Sequence, residues 1–425
     1  MIIRSDKWHE EYYYEKLSNG LEIYLMVKPE YKKTYGSMAV NFGSLDTMFI
    51  PPFKNDFVSV PVGSAHYLEH ELFKQKNDIS LRFAELGAEC NAYTTFDRTA
   101  FTFNTLDNPI ECTKLLFELV QTKNYTDETI NNERSSIINE IKMYENLPSS
   151  THYKECLNSL YKNCNVKNDI SGSIESVSEI NKEILDICYD TFYHPSNTCL
   201  VLVGNFDLDN MIESIKEEQS KRTFRDFVVI KRKYPEETNE INKKKLILNY
   251  ELPIPKIALN LKIPTKNTQS MENLKNDLAL AILLDYNFDE TSKFYEELTN
   301  KEIINNSFFY ESIIEDGFGY FMISCDTHNY QEFEKLILDK MLNLDLLDTG
   351  SFNRYQKTIF AANIRKMNNL EYYVSLLTDA CFCNLSLFDI FDAIFSLTVE
   401  DVNNMKKLFV ENLITTVIFK DEQHQ

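Results

Sequence analysis

Two histidines and a glutamate lie within one short stretch of the sequence, His66-Tyr67-Leu68-Glu69-His70. On a helix, residues four apart share a face, so the imidazoles of His66 and His70 can bind one metal ion with Glu69 beside them. A catalytic zinc site takes three protein ligands and leaves one position for water, whose proton a nearby carboxylate removes as the water attacks a carbonyl. Glu69 is the candidate for that base. The alternative is a solvated surface helix without chemistry.

The surroundings of the motif favour the metal site. The chain has seven histidines, and only His66 and His70 are spaced to share one metal ion. Leu68 and Leu72 give the segment an apolar stripe, which predicts a packed helix that holds its ligands in place.

A third ligand is expected from a second helix, and Glu133 and Glu140 in NNERSSIINEI are the candidates. They are seven residues apart, or two helical turns, and therefore share a face. One can bind the metal while the other supports the site from behind. The alternative is that both belong to the wet face of an amphipathic helix.

Composition narrows the class of protein. With 425 residues, 43% of them hydrophobic, the chain is long enough for two or more packed domains. The net charge of −21 argues against a nucleic-acid partner, because phosphate binding needs clustered lysine and arginine. An acidic cleft for a basic peptide and an acidic surface that serves solubility are both consistent with this charge.

The sequence also bears on location. Its start, MIIRSDKWHEEYYYEKL, has no apolar signal region, and no stretch approaches 18 uninterrupted apolar residues. The nine cysteines are odd in number and form no C-x-x-C pair, as expected of reduced thiols. We therefore expect a cytoplasmic protein without a membrane span.

Hydrophobic period and turn residues predict the order of the elements. In the first half we expect strands near 21–27, 36–42, 91–95 and 99–104, and a closing strand in NTCLVLVGNFD. The histidine helix is expected after the second strand, and further helices near 80–86, 110–121 and 126–146. The second half repeats this order, with strands in KLILNYEL, KIALNLKIP, FGYFMISCD and LITTVIFKD and helices in LALAILLDY and NYQEFEKLILDKML.

This repetition, at about 200 residues, predicts an α+β fold. The fold would have two homologous α/β-sandwich halves, each a mixed or antiparallel sheet flanked by helices. The expected boundaries are residues 1–215, a charged linker at 216–240, and residues 241–425. The second half has Leu, Ala and Ile where the first has its ligands, so one half is expected to bind the metal.

The first half resembles the inverted-motif zinc metallopeptidases, the family of pitrilysin, insulysin and the mitochondrial processing peptidase. The motifs that carry the resemblance follow the family's order, from HYLEH through GAECNAYTTFDRTAFTF and ERSSIINE to the stretch from FYHPSN to VGNFD. They cover roughly residues 15 to 210, whereas the second half is similar mainly in layout.

The resemblance implies a role for each motif residue. His66, His70 and Glu140 would bind one Zn²⁺ per chain, Glu69 would activate the water, and Glu133 would take the supporting acidic position. It also implies that Asn91, Ala92 and Tyr93 form an edge strand on which an extended peptide docks through backbone hydrogen bonds. From the residues alone, Asn91 reads equally well as a turn or strand-end residue.

One departure from the family concerns the second half. Active members have an Arg and a Tyr, seven residues apart, after the duplicated helix. Aligning on Leu298 puts Thr299 and Asn306 at these positions, and Tyr310 is a candidate substitute without a nearby arginine. The resemblance therefore implies the zinc subunit of a two-chain peptidase, whose zinc-less paralogue supplies the Arg and Tyr. A homodimer is the second arrangement.

The expected function is that of a zinc endopeptidase, or its catalytic subunit, that cuts peptides or leader sequences. The C-terminal domain would enclose the substrate and contact the partner. Two alternatives stay open from the sequence: a non-catalytic scaffold subunit of the same fold, and a zinc hydrolase of a non-peptide amide.

Overall fold

The computed structural model describes residues 1–74, 78–265 and 270–421. The strands are β1 (Ile2–Ser5), β2 (Glu10–Lys16), β3 (Glu22–Val27), β4 (Thr34–Val40), β5 (Met48–Ile50), β6 (Val58–Ser59), β7 (Ala88–Thr94), β8 (Thr99–Thr105), β9 (Thr198–Gly204), β10 (Lys231–Arg232), β11 (Lys245–Asn249), β12 (Lys256–Lys262), β13 (Phe309–Glu315), β14 (Phe318–Asp326) and β15 (Ile414–Lys420).

The helices include both helices of the predicted metal site, close to their expected bounds. They are α1 (Ser64–Phe73), α2 (Ile79–Glu85), α3 (Pro109–Gln121), α4 (Asp127–Glu145), α5 (Pro148–Leu160), α6 (Ile174–Glu179), α7 (Lys182–Phe192), α8 (Leu208–Ser220), α9 (Ser270–Phe288), α10 (Lys293–Asn300), α11 (Tyr330–Leu342), α12 (Thr349–Lys366), α13 (Leu370–Phe382), α14 (Leu387–Ser396) and α15 (Val399–Asn404).

The chain forms two compact units, each drawn from three segments of sequence. The first contains residues 1–143, 169–234 and 366–388, and the second contains 144–168, 235–365 and 389–425. The expected boundaries at 1–215, 216–240 and 241–425 divide the chain in sequence order, whereas the units exchange two segments.

The first unit is built on a seven-stranded sheet in the order β1-β2-β3-β9-β4-β8-β7. All neighbours are antiparallel except β3 and β9, which run parallel. The apolar run of β9 is buried along its whole length, as expected of a central strand covered on both faces. Helix α13, from late in the sequence, packs on β9 and β4. The strand β7 forms one edge of the sheet.

Part of the predicted linker pairs with this unit. Residues Lys231–Arg232 form β10, which pairs with β5 in a three-stranded sheet. There the buried carboxylate of Asp46 accepts from Arg232 Nε at 2.8 Å and from the Tyr234 hydroxyl at 2.9 Å. A buried charge is costly unless it is paired, so these bonds hold the segment in one position.

The second unit has a five-stranded sheet in the order β11-β15-β12-β14-β13. Helix α5 packs on β15 and β12, while α11 packs on β12 and α9 on β13. Lys262 is buried, and its ammonium group donates to Glu237 at 2.6 Å and to the carbonyls of Thr238 and Glu240. The end of the predicted linker is therefore tied to this sheet.

The predicted fold class is confirmed, because both units are mixed or antiparallel sheets flanked by helices. Within residues 1–74, 78–265 and 270–421, no single helix has the length and hydropathy of a membrane span. The broken pair α13 and α14 meets both requirements when the two are taken together.

Candidate metal centre

Helix α1 presents the histidine motif from a fixed start. It begins after Gly63, whose φ of 92° lies in the left-handed region, and a Cβ there would come 2.5 Å from the carbonyl oxygen of Ser171. Only glycine fits this position without strain. Leu68 and Leu72 are buried in the core, as their spacing predicts. The motif therefore lies on a packed helix and not on a solvated one.

Helix α4 is fastened to α1 by Tyr67. The buried Tyr67 hydroxyl donates a hydrogen bond to the carbonyl oxygen of Ile130 at 2.5 Å. Ile130 lies about one turn before Glu133, so this bond fixes the height of α4 against α1. Tyr67 is a supporting residue that the sequence did not single out. The sequence feature that could have indicated this role is an aromatic residue between the two histidines.

The three predicted metal ligands converge in the structure. Glu140 Oε1 lies 3.8 Å from His66 Nε2, and its Oε2 lies 3.5 Å from His70 Nε2. One ligand atom from each of the three residues falls within 4.8 Å of the others. Ligands held at 2.0–2.1 Å by a tetrahedral zinc ion are about 3.3–3.4 Å apart, so the donor set fits zinc if its separations shorten by at most about 1.5 Å.

The two histidines differ in their surroundings. Burial, assisted by the nearby charge of His70, lowers the pKa of His66 to about 3, so this ring is neutral and offers a lone pair. Burial also acts to lower the pKa of His70. The hydrogen bond to Glu133, with the charges of nearby glutamates, outweighs burial and raises it.

Glu133 orients His70. Its Oε1 lies 2.9 Å from His70 Nδ1 and its Oε2 lies 2.9 Å from Lys74 Nζ. Burial acts to raise the pKa of Glu133, but the hydrogen bonds from His70 and Lys74 hold it below its usual value. An ionised Glu133 makes Nδ1 the protonated nitrogen and leaves Nε2 for the metal, the arrangement usual in histidine–zinc sites.

This arrangement yields a first prediction, for Glu133→Ala. Without the carboxylate, the His70 ring loses its fixed tautomer and orientation, and zinc affinity should fall about 10–100-fold. Glu133→Gln keeps an acceptor without the charge, so its loss should be smaller. Zinc dissociation constants from competition with a chromogenic chelator measure both. Glu128→Ala, an exposed glutamate on the same helix, is the matched control. Unchanged affinity in Glu133→Ala would contradict this role.

Glu69 is set apart from the ligands. It is 8% exposed, and its Oε2 accepts a hydrogen bond from the Thr94 hydroxyl at 2.6 Å. Burial raises the pKa of Glu69 against the lowering effects of Thr94 and His70. A raised pKa lies closer to neutral pH, and a general base works best when its pKa is near the pH of the reaction.

Asn91, Ala92 and Tyr93 lie in the middle of β7, the edge strand of the seven-stranded sheet. The Asn91 side-chain oxygen accepts a hydrogen bond from the backbone N–H of Ala92 at 2.9 Å, and Tyr93 is 44% exposed. The edge strand that the resemblance implied is therefore present in the first unit. An edge strand presents unpaired backbone groups to which another strand can add.

The two second-half positions that the resemblance singles out hold neither an Arg nor a Tyr. Thr299 lies on the exposed face of α10, and Asn306 is exposed before β13. The Tyr310 hydroxyl donates to Asp285 on α9 at 2.8 Å, so it is engaged within its own unit. Arg354 and Arg365 are the two arginines after residue 240, and both lie on α12.

Comparisons with known proteins identify the family of the chain. Residues 61–173 match the model of the insulinase family, peptidase family M16, and residues 179–359 match the model of the peptidase M16 inactive domain. A Bacillus subtilis protein named uncharacterized zinc protease YmfH is 34% identical over 405 residues, covering 95% of each chain.

Solved structures share the architecture over nearly the whole chain. An M16-like peptidase from Alicyclobacillus acidocaldarius is 29% identical with a TM-score of 0.93, covering 99% of this chain and 100% of that one. A protease from Helicobacter pylori, at 19% identity, shares the fold with a TM-score of 0.81 over 97% of this chain and 99% of that one. Because both family models match and a relative at 34% identity aligns over 95% of the chain, the chain belongs to peptidase family M16.

Proposed function

We propose that this chain is a zinc-dependent endopeptidase, or the catalytic subunit of one, that hydrolyses peptides docked on β7. The observation that carries the proposal is the convergence of His66, His70 and Glu140 on one point, with a buried carboxylate, Glu69, on the same helix. The naming of relatives as zinc proteases gives it further support.

The chain's own residues supply the metal-binding and proton-transfer parts of the proposed hydrolysis. His66, His70 and Glu140 would hold a zinc ion, which would supply Lewis acidity towards the scissile carbonyl and would lower the pKa of a bound water to about 7. Glu69 takes the proton of the attacking water and passes it to the leaving amine. Glu133 keeps the His70 ring in the tautomer that binds the metal.

Substrate selection rests on β7. The exposed edge beside Asn91, Ala92 and Tyr93 suits an extended main chain, and side chains that alternate along the strand would confer selectivity. An extended peptide fits such an edge better than a small non-peptide amide, which has no series of backbone groups to pair.

We further propose that activity needs a second chain. The support is the lack of an Arg and Tyr at Thr299 and Asn306, together with the engagement of Tyr310 by Asp285. A zinc-less paralogue would supply those groups, and two copies of this chain are the other arrangement. The proposed setting is the cytoplasm, in keeping with nine cysteines of which none forms a disulfide.

A peptide-cleavage assay tests both proposals. The purified, zinc-loaded chain is given internally quenched peptides, alone and with a paralogue of similar length that lacks H-x-x-E-H but keeps the second-half Arg and Tyr. We expect slow cleavage alone and a large increase on mixing. Full activity of the chain alone would refute the need for a paralogue, and full activity of the chain as a monomer would refute the homodimer as well. Stoichiometric zinc without cleavage, alone or with any partner, would favour the scaffold function.

A further inference from the structure

The hydroxyl of Thr94 links the edge strand to the proposed base. Thr94 Oγ1 lies 2.6 Å from Glu69 Oε2, and Thr99 Oγ1 is its other neighbour at 3.4 Å. Thr99 donates its own proton to the carbonyl oxygen of Phe42 at 2.9 Å, so it can serve Thr94 only as an acceptor. The single Thr94 proton therefore goes to the closer, charged partner, the Glu69 carboxylate.

No second hydrogen bond restrains this carboxylate within the described residues. Glu69 extends from α1, and its Oε2 bond to Thr94 joins the helix to the sheet edge. A glutamate has three rotatable side-chain bonds, and in a site that needs aligned reacting atoms a free carboxylate would sample unproductive positions. The bond to Thr94 removes that freedom.

The backbone of Thr94 points towards the open edge of the sheet. In the β7–β8 pairing, Thr95 N–H donates to the carbonyl oxygen of Arg98, so this pair is hydrogen-bonded and Thr94 with Thr99 is the next, non-bonded pair. Residues in non-bonded pairs turn their N–H and C=O groups away from the partner strand. The Thr94 and Ala92 backbones therefore face the side where an added strand would pair.

We propose that Thr94 is a positioning residue that couples docking of a peptide strand on β7 to the orientation of Glu69. It rests on the proposed peptidase function, which it deepens. A strand that pairs with the Thr94 backbone fixes the same residue whose side chain holds the base. Docking of a peptide strand on β7 therefore also aligns the Glu69 carboxylate.

Two substitutions test the proposal. Thr94→Val keeps the shape and removes the hydroxyl, whereas Thr94→Ser keeps the hydroxyl. With zinc bound, Thr94→Val should lower kcat about 100-fold with KM changed less than about threefold, because a displacement of 1 Å costs about that much. Thr94→Ser should restore kcat to within about threefold of the wild type. Thr94→Ala replaces the valine variant if that variant does not fold.

Crystal structures give a readout independent of turnover. In Thr94→Val the Glu69 carboxylate should leave its position by about 1 Å or more, and in Thr94→Ser it should stay. Normal kcat in zinc-loaded Thr94→Val, or an unmoved Glu69, would overturn the proposal. If the wild type cleaves no peptide with any partner, the proposed function fails, and the position of Glu69 still decides whether Thr94 holds it.

Discussion

Replacing Glu69 by glutamine is expected to leave zinc bound and to lower kcat for peptide hydrolysis at least about 1,000-fold. Glutamine has the same shape as glutamate, and its side-chain oxygen can still accept the bond that Thr94 donates. An amide cannot take a proton from water, so the variant keeps the site and loses the base. Because Glu69 is absent from the converging ligand set, its charge is not needed to hold the metal.

Three measurements check the result for Glu69→Gln. Zinc per chain, determined by atomic spectroscopy, should match the wild type, as should binding of an uncleaved peptide. Glu85→Gln, an exposed glutamate on α2, is the matched control and should retain full kcat. A kcat within tenfold of the wild type would remove Glu69 from the mechanism. Loss of zinc in Glu69→Gln would instead make it a ligand.

Local patterns predicted most of the elements around the site. The strand expected near 99–104 is β8 at Thr99–Thr105, and the helix expected near 126–146 is α4 at Asp127–Glu145. The spacing of hydrophobic residues shows which face of a strand or helix is buried, and this spacing can be read from the sequence of that element alone. Pro148 ends one helix and also begins the next, α5, because proline fits the first turn of a helix.

The exchange of segments between the units could not be read from such patterns. Helix α5 follows the first half in sequence yet packs on β15 and β12, and α13 comes late in the sequence yet packs on β9 and β4. An amphipathic helix shows that it needs an apolar surface, but its period does not say which sheet provides it. Only the three-dimensional arrangement identifies the partner.

The same limit applies to the glutamates of α4. Their separation of seven residues gives both the same face, so spacing alone leaves either one as the ligand. The structure separates them by their partners: Glu140 faces the two Nε2 atoms, and Glu133 pairs with His70 Nδ1 and Lys74. Likewise, nothing in the sequence spacing linked Thr94 to Glu69, because the link depends on how α1 packs against β7.

The two sheets also differ at their edges. In the first unit one backbone N–H of β7, that of Ala92, donates to the Asn91 side chain of the strand itself. In the second unit, the Ile314 N–H of edge strand β13 donates to Asp277 on α9 at 3.1 Å. Asp277 is largely shielded from water, and this burial raises its pKa to about 6. An aspartate of α9 therefore pairs with the edge strand of the second unit, whereas Glu69 of α1 accepts a hydrogen bond from the Thr94 side chain on β7.

Removing a metal ligand is expected to have the second large effect. Glu140→Gln and His66→Ala should each weaken zinc binding more than about 100-fold, since loss of an outer partner already costs 10–100-fold. Both ligands belong to the one group of three His, Cys, Asp or Glu donors that converge within the described residues. No second group there can bind the zinc ion in its place. Zinc per chain after dialysis should fall from one towards zero, and peptide cleavage should be lost with it.

The two ligand variants separate metal loss from misfolding. Glu140 is about a quarter exposed, so Glu140→Gln should keep the thermal stability of the zinc-free wild type, whereas buried His66 leaves a cavity when truncated. Glu128→Gln on the same helix is the control and should bind zinc normally. If Glu140→Gln still holds one zinc per chain through dialysis, the third ligand is another residue, and Glu133 is the nearest carboxylate to test, because it already contacts His70.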